Sequence, residues 1–269
     1  MIKADFYLKF QNYKELVKSL FKIIDGIQKD IESKGRLEIL IPGLSQIGIM
    51  YTSLLKLIPN EESNFDLTSL CLISRSILEF TNNIYFFGID EVQQDELEFR
   101  LDLYNYLSNR ERLMVGKQMD GFKKLNAIGV TKDLVNKEKE ELINSDFFKK
   151  LLTQNLIKED EIIKSKYISR QNLQSKRKIK QHIYNDFYSL YSTFVHSAPL
   201  AIDTYKDFLI NYNDRIFDQY KYSEAIIDLC SGFVSVMLLE AKIYTNDWTI
   251  ILDENEIECI NKFANDLIN

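Results

Sequence analysis

The chain has 269 residues, 34 Lys and Arg against 40 Asp and Glu, and a formal charge of −6. Its 9 Gly and 3 Pro fall far below the roughly 12% that average usage would give. So few breakers argue against sandwiches, barrels and Pro-rich disordered chains, and favour long helices joined by short turns.

Phe6, Phe10, Tyr13, Val17, Leu20, Ile24, Ile27 and Ile31 alternate four and three positions apart, which predicts one apolar stripe on one long helix. Gly35, Pro42, Gly43 and Gly48 punctuate the next stretch, so a second helix is expected from about Gly43 to Ile58, ended by Pro59-Asn60. Asn64 or Asp66 can cap a third helix that runs to Phe87, with Gly88 as its stop. A fourth is expected from about Glu91 to Met119, before a loop marked by Gly116, Gly121 and Gly129. Shorter helices follow over Lys132–Asn144, Asp146–Gln154 and Lys158–Tyr167. A long one is expected from Lys176 to His196, with Pro199 in the first turn of the next. Tyr222–Tyr244 and Glu254–Leu267 complete the set.

The expected fold is therefore all-α: a multi-helix bundle forming a single domain over residues 1–269, with a basic helical insertion at about 117–175. Residues 116–181 hold 16 Lys and Arg against 9 Asp and Glu, a net of +7, which leaves −13 on the remainder. Lys176-Arg177-Lys178 with Lys180 is the densest point. Such a stripe is the footprint expected of a phosphate-backbone partner, and also of a plain solvated face.

Met1-Ile2-Lys3-Ala4-Asp5 leads straight into an amphipathic pattern, so no signal peptide is expected. The longest apolar stretch, Leu67 to Gly88, carries Arg75, Glu79, Asn82 and Asn83, so no membrane span is expected there. Cys71, Cys230 and Cys259 read as reduced thiols of a cytoplasmic protein. No Gly-rich phosphate loop and no Glu-x-x-His pair is present, and two His with three scattered Cys make a poor zinc set. No metal or cofactor is expected.

Three constellations carry chemistry. Arg75 and Glu79 lie four apart on the third helix, so they share a face that Asn82 and Asn83 extend. They are either a structural tie or the wall of a polar pocket. Asn185, Ser189, Ser192 and His196 form a polar stripe on the long helix, opposite Ile183, Phe187, Leu190 and Phe194. His196 stands at the helix end as a candidate general acid or base, with Asp203 available to orient it. Arg177-Lys-Ile-Lys-Gln-His182 is the third: a bidentate cation and a titratable base five positions apart.

Arg177 and His182 match the minimal Arg, four residues, His pattern of the HEPN ribonucleases, although Lys178 stands where that family usually has a small polar residue. The resemblance implies a metal-independent endoribonuclease in which His182 activates the ribose 2′-hydroxyl and Arg177 holds the phosphate near a dimer seam. A broader likeness covers roughly residues 40–245. Arg75-Ser76-x-x-Glu79, followed by Tyr191-Ser192-Thr-Phe-Val-His196, is similar to a bacterial family of HEPN-like helical proteins, with one residue fewer between Ser and His. Some relatives of that family resemble abortive-infection proteins. This likeness implies a pocket of Arg75, Glu79 and His196, with RNA as partner, a homodimer, and a role in phage defence. His196 would then be the base or acid, Arg75 would hold the phosphate and Glu79 would fix Arg75. Lys176, Arg177, Lys178 and Lys180 would supply sequence-independent affinity. The alternatives are a non-catalytic helical interaction or nucleic-acid-binding module, and a small-molecule sensor.

Overall fold

The computed structural model describes residues 2–27, 34–58, 66–118, 130–157, 167–195, 202–204, 206, 212–245 and 247–268. The fold is all-α. Among the described residues the extended pairing is limited to isolated bridges, Ile27 with Thr245 and Ile179 with Ile268. The chain divides into two compact units, one made of residues 1–89 and 170–269, the other of residues 90–169. The basic insertion expected at 117–175 overlaps the second unit but begins well inside it.

In the first unit, α1 (Ile2–Gly26) buries Tyr13, Leu16, Leu20 and Ile23, with Ile27 just beyond its end. Val17 and Ile24 of the expected stripe are only half-buried, so the inward face is centred one position earlier. Ile31 lies outside the described residues. Helix α2 (Lys34–Lys56) begins nine residues before the expected Gly43 and runs through Pro42. Pro42 is exposed, so the carbonyl it leaves unpaired one turn back is open to water. Leu37, Ile39 and Leu40 before it and Leu44 and Ile47 after it are all buried, and that packing outweighs the local break.

Asp66 caps α3 (Leu67–Ile84), accepting from the Ser69 backbone N–H at 2.9 Å. Gly88 does not stop the helix. The chain instead widens into a π-helix, Tyr85–Ile89, whose five residues are all buried. Helix α3 packs on α2 and on two later helices, α8 (Gln181–Val195) and α9 (Tyr212–Ala241). A short 3₁₀ turn, Lys242–Tyr244, follows α9. The short α10 (Trp248–Ile251) and α11 (Glu254–Asn265) close the unit, with α11 against α1 and α9. Asp253 and Glu256 form a reciprocal cap at the start of α11.

The single helix expected over Lys176–His196 is two helices. Helix α7 (Arg170–Lys176) ends, the chain turns through Lys178 at φ 57°, and α8 starts at Gln181. Ile179 meets Ile268 in this turn, and the Lys180 N–H donates to the Leu267 carbonyl at 2.9 Å. The sequence carries no glycine or asparagine to announce that left-handed residue.

In the second unit, α4 (Gln94–Gln118) packs on α5 (Lys132–Asn144) and α6 (Asp146–Thr153). Thr131 and Ser145 cap α5 and α6. Arg100 is buried there, bonded to Glu96, to Asp90 at 2.9 Å and to the Tyr167 hydroxyl at 2.9 Å. Phe99, Phe147 and Tyr167 cluster around it. The helix expected over Lys158–Tyr167 falls almost wholly outside the described residues.

Candidate functional site

A polar seam runs along α3 where α7, α8 and α9 meet it. Its residues on α3 are Arg75, Glu79 and Asn82, spaced four and three apart and so stacked on one face. Asn83, expected on the same face, is exposed and lies off it.

At the outer end, Arg75 Nε donates to Glu79 Oε1 at 3.2 Å and Arg75 Nη2 donates to the Tyr188 hydroxyl at 3.0 Å. The Tyr188 hydroxyl donates on to Glu79 at 3.3 Å, which closes a triangle. The Arg75 side chain keeps 22% of its surface exposed and that of Glu79 keeps 46%. The pair therefore stands at the rim of the bundle, where water screens it. The Tyr188 ring carries a second cation, with Arg170 Cζ 3.8 Å from its centroid and Arg75 Cζ at 5.0 Å.

The inner end is closed. Arg177 is almost fully buried, at 3% exposure. Its Nε and Nη2 each reach Glu240 at 2.9 Å, and its Nη1 donates to Asn82 Oδ1 at 2.8 Å. The guanidinium also lies 5.3 Å from the Tyr85 ring centroid. Asn82 Oδ1 accepts from Gln174 Nε2 at 2.6 Å as well, and Asn82 Nδ2 donates to the Tyr184 hydroxyl at 3.1 Å. Gln174 Oε1 is buried and has no hydrogen-bond partner among the described residues. Burial pushes the Tyr184 phenol up to about 12.

This geometry takes Arg177 out of the solvent-facing basic stripe expected over Lys176, Arg177, Lys178 and Lys180. The cation turns inward because Glu240 and Asn82 offer a complete set of acceptors there. Lys176 and Lys178 are exposed, and Lys180 is half-buried with Nζ 3.3 Å from the Asp266 carbonyl. His182 is exposed on α8, two positions before buried Tyr184 and so about 200° around the helix from it. Arg177 and His182 are therefore not on one helix, and they do not share a face.

His196 lies outside the described residues, so the pocket implied for Arg75, Glu79 and His196 is described only at its first two members. Asp203 is exposed. Of the expected polar stripe, Asn185 and Ser189 are exposed and Ser192 is half-buried. The inward face of α8 is instead Tyr184, Tyr188 and Tyr191, again four and three apart. Tyr191 is fully buried. Among the described residues its hydroxyl makes no hydrogen bond of normal geometry, its polar neighbours being Ser74 and Cys230. Burial raises Tyr191 well above the ordinary phenol range and pushes the Cys230 and Cys71 thiols up to about 12. Tyr184 and Tyr188, with Gln174 and Arg170, are the site residues that the charge and motif patterns missed. Their signal was a tyrosine repeat at helical spacing.

Among the described residues no three His, Cys, Asp or Glu converge as a metal site. One described stretch, Gly35–Lys56 in α2, is long and apolar enough to cross a membrane by length and composition, and Leu40, Leu44, Ile47, Tyr51 and Leu54 within it are buried core residues.

Compared with known proteins, the chain matched no family model, no curated protein and no solved structure. The chemistry of the seam therefore rests on its own geometry.

Proposed function

We propose that this chain is a HEPN-like helical protein that binds RNA through the cationic surface of α7 and the turn after it. The observation that carries the reading is the charge of this segment. Between Glu161 and Asp186 stand seven Lys or Arg and no acid. Among the described ones, Arg170, Lys176 and Lys178 are exposed. Clustered exposed cations attract a phosphate backbone whatever its base sequence. The resemblance to HEPN proteins favours RNA over an acidic protein, and points to a homodimer working in cytoplasmic phage defence.

In the catalytic form of this proposal His196 is the acid or base, Arg75 holds the scissile phosphate and Glu79 fixes Arg75. The 3.2 Å hydrogen bond from Arg75 to Glu79 supports that last role. Arg177 and His182 are the weaker pair, because Arg177 already has a carboxylate partner in Glu240. That same ion pair favours a second reading, a non-catalytic binding module in which the seam is structural.

The test is RNA binding and RNA cleavage in metal-free buffer, with wild type, His196→Ala, His182→Ala and the double variant Lys176→Glu/Lys178→Glu. The double variant is expected to weaken binding to all sequences. It should also lower the slope of log affinity against log salt by about 1 for each phosphate that the protein no longer neutralises. Cleavage abolished in His196→Ala and kept in His182→Ala supports the enzyme. Binding without cleavage by any form supports the module. No binding by wild type at low salt overturns both.

A further inference from the structure

We infer that the rim of the seam, Arg170, Tyr188 and Arg75, is a phosphate-binding subsite in which Arg170 is the movable clamp. The inference deepens the RNA-binding proposal and takes its ligand class from it. Two guanidiniums share one aromatic ring, at 3.8 and 5.0 Å from its centroid, so their Cζ atoms are at most 8.8 Å apart. Two guanidiniums that clamp one phosphate through hydrogen bonds of about 2.8 Å stand up to roughly 8 Å apart, and the two cations held at this one ring fall in the same range.

The charges point the same way. Among the described residues Glu79 is the carboxylate bonded to this rim, through Arg75 and Tyr188. Arg170 is exposed and has no carboxylate partner among the described residues. It rests on the face of Tyr188, which is a weak attraction at an exposed site. A phosphate oxygen offers that guanidinium a charge-assisted bidentate partner, which is the stronger interaction. Tyr188 keeps Arg170 pre-placed, and Glu79 holds Arg75 in register. Arg75 reaches the anion from within its own triangle.

The phosphate can belong to an RNA strand or to a free phosphorylated small molecule. The experiment separates them. Binding of a labelled single-stranded RNA is measured by fluorescence anisotropy, and binding of inorganic phosphate by calorimetry, for wild type, Arg170→Ala, Arg170→Lys, Tyr188→Leu and Lys176→Glu/Lys178→Glu. Arg170→Ala is expected to weaken both ligands roughly tenfold, with Arg170→Lys intermediate because a lysine lacks the fork. Arg170 is exposed, so Arg170→Ala should unfold at the wild-type temperature, and that separates a binding defect from a folding defect. RNA and phosphate bound equally by wild type, Arg170→Ala and Tyr188→Leu, with RNA binding abolished only in the double lysine variant, overturns the subsite and leaves the RNA proposal standing. Phosphate bound through Arg170 without any RNA binding keeps the subsite, and assigns it to a small phosphorylated ligand. Binding of neither ligand by wild type overturns both.

Discussion

Arg177 donates to both carboxylate oxygens of Glu240, from Nε at 2.9 and 3.1 Å and from Nη2 at 2.9 Å, across 63 positions of sequence. A pair this enclosed is costly to break and cheap to replace, because most of its attraction offsets the desolvation of its own charges. Arg177→Ala should cost about 3 kcal/mol in chemical denaturation, since Glu240 keeps its charge and loses this guanidinium. The double change Arg177→Met/Glu240→Leu should recover most of that loss. A double variant as unstable as the single one would show that shape at this point matters more than charge.

Alkaline pH should weaken the fold. Burial pushes Cys71, Cys230 and Tyr184 up to about 12, above ordinary values of 9.0 for the thiols and 10.0 for the phenol. The unfolded chain therefore releases these protons first and binds fewer of them than the native state over that window. Stability falls as pH rises from 9 towards 12, with a slope of about 1.4 kcal/mol per pH unit for each group that titrates. Urea midpoints across this range measure the slope. Tyr184→Phe should flatten it above pH 10, and a flat wild-type profile would sink the idea.

Gly43 marks a close approach of α2 to Ile84 at the end of α3. A Cβ there would stand 2.7 Å from Ile84 Cγ1 and 2.8 Å from Cδ1. Gly43→Ala gains helix propensity but forces Ile84 off its place, and the net cost should be about 1–2 kcal/mol. Pairing it with Ile84→Val, which removes Cδ1, should return part of that loss. Thermal unfolding of the three variants reads the coupling directly.

In the second unit, Arg100 is the buried cation held by Asp90 and Glu96. Arg100→Ala takes the cation away from both carboxylates, and should destabilise residues 90–169 by about 3 kcal/mol. Limited proteolysis, followed by mass spectrometry of the first cut, should place that cut within this unit. A first cut elsewhere would argue against it.

What is legible in the sequence is what is local. Asp66 caps α3 because a cap needs only the next three residues, and Arg75 meets Glu79 because one helical turn separates them. The span Lys132–Asn144 is legible residue for residue, since Thr131 and Ser145 bracket it. What escapes depends on distant chain. Pro42 stays helical because its neighbours are buried, and Lys178 turns left-handed where Ile179 meets Ile268. The inward turn of Arg177 needs Glu240, which no spacing rule connects to it. A motif counted along the chain assumes one continuous helix, and here a single positive φ between Arg177 and His182 voids that assumption.

The first unit is assembled from two stretches of chain, with residues 90–169 intervening. This has a consequence during synthesis. Helix α3 leaves the ribosome complete, yet its partners α8 and α9 are still unmade. At about 5–20 residues per second, some 80 intervening residues take roughly 4–16 s to add. By the end of that interval the face of α3 that carries Cys71 and Ser74 still lacks Tyr191 of α8 and Cys230 of α9, while residues 90–169 are whole and able to fold. The nascent chain thus presents one uncovered apolar face of α3 for seconds, its other face already meeting α2. It is in that window, rather than in the finished protein, that a chaperone has most to bind.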